Sequence, residues 1–64
     1  MCESIAYLHT DGNEDELLLE DVVMLRPEKD SIILINIMGD KKEVKAAIDH
    51  IDLVKHRIVL RPKI

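Results

Sequence analysis

The sequence predicts one small domain made mainly of β-strands. Sixty-four residues are too few for two lobes with a cleft between them, so residues 1–64 form at most one domain. The apolar residues, 47% of the chain, are almost all aliphatic and fall in short runs between turn-forming residues. Because a chain of this length buries only about 60% of its unfolded surface, we expect it to need a metal, a second copy or unusually tight packing.

The first half of the chain contains two predicted strand regions separated by a turn. Residues 2–10 form the first strand, and the Asp-Gly-Asn sequence at residues 11–13 ends it, because Gly and Asn tolerate positive φ. Residues 17–19 and 22–25 are two apolar runs split by an acidic pair, which predicts two strands or one strand bent at a bulge. Pro27 ends the second run, since it has no amide hydrogen for a central ladder.

The most apolar stretch, residues 31–38, follows a charged turn and is predicted to be a strand because it is dense in β-branched residues. Its apolar side chains occupy both faces and are interrupted only by Asn36, whereas a sheet with one wet face would alternate. We therefore expect both faces to be covered, and a second copy of the chain is the expected cover.

Residues 41–55 are ambiguous between helix and strand. Asp40 followed by Glu43 resembles a capping box, and apolar residues then recur at helical spacing, so the local pattern favours an amphipathic helix. The alternative is a strand over residues 44–48, a bulge, and two more apolar positions after it. Residues 57–61 form the final strand, which ends at Pro62.

The motifs of common enzyme classes are missing from the sequence. It has no Gly-rich phosphate loop, no Gly-x-Ser-x-Gly elbow and no His-Glu-x-x-His motif, so we expect a protein that is not an enzyme. It also has no long apolar run and no basic-then-apolar leader, so we expect a cytoplasmic protein without a membrane segment. His9, His50 and His56 form no close pair and Cys-x-x-Cys is missing, so a closed zinc site is not expected.

Cys2 is the only cysteine and the candidate metal ligand. It directly follows Met1, and removal of that methionine would leave an amine and a thiol on one residue. A thiolate combined with an amine or with backbone amide nitrogens suits square-planar Ni(II) or Cu(II). The alternative interpretation is that Cys2 packs as a small apolar side chain.

The charge is divided unevenly along the chain, which has a net charge of −4. Residues 1–24 carry seven acidic and no basic side chains, and residues 25–64 carry all nine Lys and Arg. This asymmetry indicates either a basic surface for a polyanion or two halves that pair across a sheet. RNA binding through Lys42, Arg57 and Arg61 is therefore the second hypothesis, although a single aromatic residue gives no stacking platform.

Four motifs in a fixed order span nearly the whole chain: residues 1–2 (Met-Cys), 19–22 (Leu-Glu-Asp-Val), 39–45 (Gly-Asp-Lys-Lys-Glu-Val-Lys) and 51–60 (Ile-Asp-Leu-Val-Lys-His-Arg-Ile-Val-Leu). Their order resembles the CooT family of very small nickel-binding accessory proteins, linked to maturation of nickel-containing carbon monoxide dehydrogenase and earlier catalogued as predicted RNA-binding proteins. The resemblance implies an all-β fold, a small SH3-like or Sm-like antiparallel barrel of five to six short strands. It therefore implies strands rather than a helix at residues 41–55.

The resemblance also implies a function. It identifies the chain as a Ni(II)-binding accessory protein with a metallochaperone or sensor-like role, and a nickel enzyme such as carbon monoxide dehydrogenase as its client. The family's nickel ligand matches Cys2, with the neighbouring residue Glu3 beside it, and the site lies near a homodimer interface. We therefore expect about one Ni(II) per dimer, held by Cys2 of each chain and by backbone nitrogens near residues 2 and 3 or by the terminal amine.

Overall fold

A computed structural model describes residues 3–63 of the chain as an all-β protein. Its six strands are β1 (Ser4–Leu8), β2 (Glu16–Pro27), β3 (Ile32–Asn36), β4 (Lys41–Val44), β5 (Ala46–Asp52) and β6 (Arg57–Pro62). The expected fold class and number of strands are confirmed. Among these residues there is no helix that could cross a membrane.

The strands form one sheet in the order β4-β3-β2-β1-β6-β5. All neighbouring pairs are antiparallel except β1 and β6, which run parallel with Ile5 opposite Arg57 and Leu8 opposite Leu60. The expectation of a wholly antiparallel sheet is therefore wrong for this pair. No hairpin joins the first strand to the last, so β6 takes its direction from its tight turn with β5.

The two edge strands, β4 and β5, are consecutive in the chain and are separated only by Lys45. The sheet must therefore curl until its two edges meet at this residue. This curl resembles that of the barrel that the resemblance implies. Within residues 3–63, however, no ladder joins β4 to β5, so strand pairing does not close the barrel. The chain turns sharply at Lys45, which leaves the two strands end to end rather than side by side.

The core is aliphatic: five strands supply its buried side chains, and β4 adds the partly buried Val44. Its buried cluster consists of Ala6, Val22, Ile32, Leu34, Ala46, Ile58 and Leu60. Leu34 and Leu60 are the largest side chains that are completely buried. Because such a core contains no aromatic side chain, it depends on close contacts between small and branched groups from five strands.

The apolar strand predicted at residues 31–38 is shorter than expected. β3 ends at Asn36, whose side-chain oxygen accepts hydrogen bonds from the amides of Met38 (3.0 Å) and Asp40 (2.8 Å). These bonds hold residues 37 and 38 in a turn, where Ile37 and Met38 are exposed. One face of β3 is buried within the chain and the other is only partly covered, so cover by a second copy stays a prediction.

Residues 41–55 form β4, β5 and the turn after them, so the local helical pattern was misleading. The reason is an irregularity between Ile48 and His50, where the register of β5 against β6 shifts. The shift breaks the alternation of apolar side chains and produces a spacing that resembles a helix. A similar irregularity bends β2, which is one continuous strand, and this confirms the bulge alternative for residues 17–25.

Candidate functional site

One end of the sheet gathers the start of β1, the bend of β2 and two turns. We call it the N-terminal rim and define it as residues 3–4, 21–25, 37–38 and 53–56. Three contacts connect it: Ser4 pairs with Val22, the amide of Ile37 donates to the carbonyl of Asp21 (2.9 Å), and the amide of Ile5 donates to the carbonyl of His56 (3.0 Å). Segments that are far apart in sequence therefore lie side by side at this end.

A groove of about 370 Å³ runs along the N-terminal rim. Glu3 and Ser4, both half-buried, form one side of it, and the segment Val22–Leu25 forms the other, with Ile58 beneath. The lining side chains are apolar except for the Glu3 carboxylate and the Ser4 hydroxyl. The groove therefore combines an apolar floor with one negative charge, immediately after Cys2 in the sequence.

The shape of the groove depends on Asp21. This residue has φ 56°, in the left-handed region, where a residue with a β-carbon is uncommon. The registers of β2 against both neighbours shift beside it, between Ser4 and Ala6 on one side and between Val22 and Met24 on the other. As a result Val22 points into the core while the two residues after it are both exposed.

The N-terminal rim is apolar as well as grooved. Of the nine large apolar side chains that are exposed among residues 3–63, six lie on it: Val23, Met24, Ile37, Met38, Leu53 and Val54. Single exposed apolar residues are ordinary, but a concentration of them around one groove is typical of a surface that binds another molecule.

A second cluster of polar side chains lies outside the rim and anchors the loop between β1 and β2. Asp15 accepts a hydrogen bond from His9 Nδ1 (2.7 Å) with one oxygen and from Arg57 Nη2 (3.3 Å) with the other. The Arg57 guanidinium also lies 4.5 Å from the centre of the Tyr7 ring, within the range of a cation–π contact. The hydrogen bond that His9 donates to the Asp15 carboxylate raises the pKa of His9, because it favours the protonated imidazole.

Sequence reasoning did not identify Asp15, which belongs to an acidic stretch that is typical of solvated loops. Its role depends on Arg57, 42 positions further along the chain, and no local pattern could reveal that pairing. The other two histidines have different partners: His50 pairs with Asp49 at 2.7 Å, and His56 occupies the β5–β6 turn with φ 57°. Within residues 3–63 no three His, Cys, Asp or Glu side chains are grouped so that they could hold a metal ion.

The two residues predicted at the metal site have different outcomes. Cys2 lies outside the described residues, so its role stays a prediction. Glu3 is described, and it lies at the groove of the N-terminal rim.

The three basic residues of the RNA hypothesis are not brought together. Lys42 lies on β4, where its Nζ is 3.4 Å from the carbonyl oxygen of Leu18. Arg57 and Arg61 lie on β6, which is not a neighbour of β4 in the sheet. Arg57 is engaged by Asp15, and Arg61 lines a second pocket of about 440 Å³ that also contains the Asp49 carboxylate. RNA binding therefore stays a prediction that no feature of this surface favours.

Comparisons with known proteins identify relatives of the whole domain. The family model described as CO dehydrogenase accessory protein CooT matches residues 1–61. The uncharacterized protein MJ1551 of Methanocaldococcus jannaschii is 40% identical over 45 residues, which cover 70% of this chain and 79% of that protein. An uncharacterized protein of Methanothermobacter thermautotrophicus is 38% identical over 60 residues, which cover 94% of this chain and 88% of that one.

A similar structure has also been solved. A crystal structure assigned to CooT from Carboxydothermus hydrogenoformans superposes with a TM-score of 0.87 and 40% sequence identity. The match covers 98% of this chain and 100% of that one. The likeness therefore extends over the whole curled sheet, including both of its edge strands.

Proposed function

The chain belongs to the CooT family of CO dehydrogenase accessory proteins, and on this premise we propose that it binds Ni(II) through Cys2 and delivers it to a nickel enzyme. The observation that carries the proposal is the position of Glu3. This residue is the first that the structure describes, and it lies at a groove surrounded by exposed apolar side chains. Because Cys2 directly precedes Glu3 in the sequence, a metal ligand at Cys2 would be joined to a residue of a surface that is suited to contact another protein.

The donor set suits nickel. A Cys2 thiolate is a soft ligand, and backbone nitrogens of residues 2 and 3 in the same plane give the square-planar geometry that Ni(II) favours. The Glu3 carboxylate adds a negative charge at the groove, which stabilises a bound cation. In this role the chain catalyses no reaction, since an accessory protein of this kind only binds and releases Ni(II).

One thiol in each chain supplies few ligands, so we propose that two copies share one Ni(II). Val23, Met24, Ile37 and Met38 form an exposed apolar surface on the β2–β3 side of the groove. A two-fold axis beside this surface would let each copy cover the other, because the same patch meets itself in a symmetric dimer. It would also bring the Glu3 residues of both copies close to the axis.

Titration of the untagged protein with Ni(II), followed by absorption and by native mass spectrometry, tests metal binding. We expect one nickel per two chains and a thiolate-to-nickel charge-transfer band. Cys2→Ser should abolish the band and weaken binding by at least a hundredfold, whereas Ser4→Ala, which also changes the groove, should leave both unchanged. Equal nickel affinity and an equal spectrum for Cys2→Ser would refute the proposal.

The shared site is tested through the dimer. Val23→Asp places a charge in the proposed apolar contact and should convert the dimer into monomers that bind nickel more weakly. Leu17→Asp is the matched control, because Leu17 is similarly exposed but pairs with Tyr7, away from the N-terminal rim. A Val23→Asp protein that remains dimeric by sedimentation and binds nickel normally would contradict the shared site.

Delivery is tested with nickel-free CO dehydrogenase. The nickel-loaded chain should restore CO oxidation in the presence of a chelator that captures free nickel, and Cys2→Ser should not. Activation that is the same for the nickel-loaded chain and for free nickel salt in the presence of the chelator would exclude a carrier role.

A further inference from the structure

The β5–β6 turn presents two apolar side chains to solvent. Leu53 is 81% exposed and Val54 is 88% exposed, the highest value among the large apolar residues of the described chain. Exposure of this degree leaves nearly the whole aliphatic surface of two neighbouring residues in water, which is unfavourable for the isolated chain. Such a pair at the tip of a turn is available for contact without any rearrangement of the core.

The backbone of this turn is held in place on both sides. One oxygen of the Asp52 carboxylate accepts hydrogen bonds from the amides of Val54 (3.1 Å) and Lys55 (3.0 Å). These bonds lower the pKa of Asp52, chiefly through the Lys55 amide, and the carboxylate is therefore ionised at neutral pH. His56 completes the turn with φ 57°, and its carbonyl accepts the amide of Ile5 on β1. The turn is thus ordered before anything binds to it.

The turn also presents a cation, on a molecule that is acidic overall. Lys55 follows the two apolar residues directly, while the chain carries a net charge of −4. Within residues 3–63 the Lys55 ammonium makes no ion pair closer than 4 Å. A surface that combines two aliphatic side chains with a free cation is complementary to an apolar pocket that has carboxylates on its edge.

We infer that the turn of residues 53–56 is a docking element, which inserts Leu53 and Val54 into an apolar pocket with an acidic edge on the client enzyme. The inference rests on the proposed carrier function and names the surface by which the carrier recognises its client. A second copy of the chain is a less suitable occupant, because in a symmetric pair the turn would meet itself and bring two Lys55 ammonium groups together. A lipid surface is also less suitable, since the turn contains no aromatic anchor.

The location of the turn fits this role. The hydrogen bond from Ile5 to His56 places the turn beside the start of β1, while the apolar surface proposed for the second copy lies on the other side of the groove. A client enzyme that binds Leu53 and Val54 would therefore face the metal-binding end of the chain without displacing the second copy. Because the turn is already ordered, little conformational entropy is lost when it binds.

Binding of the wild-type chain to nickel-free CO dehydrogenase, measured by titration calorimetry, tests the inference. Leu53→Asp and Val54→Asp should each weaken binding at least tenfold, and Lys55→Glu should weaken it and reverse its dependence on salt. Leu17→Asp is the matched control and should bind like the wild type. All four variants change exposed side chains, and circular dichroism and the urea midpoint should verify that each is folded.

Nickel titration of the same proteins separates this inference from the proposed function. Val54→Asp should bind nickel with wild-type affinity and stoichiometry. A wild-type chain that binds no nickel would refute the carrier function itself. The docking role is refuted if the wild type does not bind the nickel-free enzyme or if Val54→Asp binds it equally well. It is also refuted if Val54→Asp dissociates the dimer, or if it abolishes binding to vesicles that contain anionic lipids.

Discussion

Asp21 provides a direct test of how the groove is formed, because its left-handed backbone, φ 56°, occurs where β2 bends. Glycine adopts such a φ at little steric cost, whereas alanine does not. Comparison of Asp21→Gly with Asp21→Ala therefore isolates the backbone term, since both changes remove the same carboxylate. Glu20 is the control position: it precedes Asp21, is exposed on the same strand, and has no positive φ.

The stability of the glycine variant relative to the alanine variant is expected to differ between the two positions. At Glu20 the glycine variant should be less stable than the alanine variant by about 0.5–1 kcal/mol, because glycine loses more freedom on folding. At Asp21 the left-handed conformation costs alanine about 1–2 kcal/mol, which offsets or exceeds that loss. The glycine-minus-alanine difference in the free energy of unfolding should therefore be about 1–2 kcal/mol more favourable to glycine at Asp21 than at Glu20.

Urea unfolding of the four variants measures this difference. With a slope of about 1 kcal/mol per molar urea for so small a protein, the double difference corresponds to roughly 1–2 M in midpoint. Asp21→Ala should also perturb the amide resonances that surround the groove, because relief of the strain shifts the register of β2. If glycine is less stable than alanine by the same amount at both positions, the left-handed bend does not control β2 and the reasoning fails.

Three further predictions follow from individual contacts. Asp15 raises the pKa of His9 above its ordinary value of 6.5, so this pair stabilises the fold at low pH and the stabilisation is lost as pH rises through the raised pKa. An NMR titration of His9 should show the raised midpoint, and Asp15→Asn should return that midpoint towards 6.5. Leu34→Ala should lower the free energy of unfolding by about 2–5 kcal/mol, and a smaller loss in urea unfolding would argue against a packed core. Asp52 has a lowered pKa, so its contribution to stability is present above its ordinary value of 3.8 and is lost as pH falls through the lowered pKa. The protection of the Lys55 amide against hydrogen exchange, relative to an unfolded chain at the same pH, should fall over that range and in Asp52→Ala at neutral pH.

Much of the fold could be predicted because its signals are local. The turn at residues 11–13 contains Gly12 with φ 80°, as Asp-Gly-Asn predicts, and Pro27 and Pro62 end the strands that they were expected to end. The split apolar runs of β2 predicted two strands or one strand bent at a bulge, and the second alternative is correct. Where a local signal failed, at residues 41–55, a bulge in β5 had disrupted the alternation on which the strand assignment depends.

The contacts of the candidate site are less predictable, because they depend on which strands become neighbours. Cys2 stands out in the sequence as the only cysteine, but nothing near it identifies the groove beside Glu3. Asp15 likewise acquires its role only when Arg57 lies next to it. Pair contacts of this kind are set by the order of strands in the sheet, which local periodicity does not determine.

The parallel pairing of β1 and β6 is what assembles the N-terminal rim. In a parallel pair the two strands begin at the same end, so the β5–β6 turn, which precedes Arg57, lies beside Glu3 and Ser4. In an antiparallel pair the same turn would lie beyond Leu8, about 13 Å away along β1. This parallel pair, which departs from the expected antiparallel barrel, therefore brings the apolar turn and its Lys55 cation to the end of the molecule that carries the proposed nickel ligand, and a carrier needs its docking surface and its cargo at the same end.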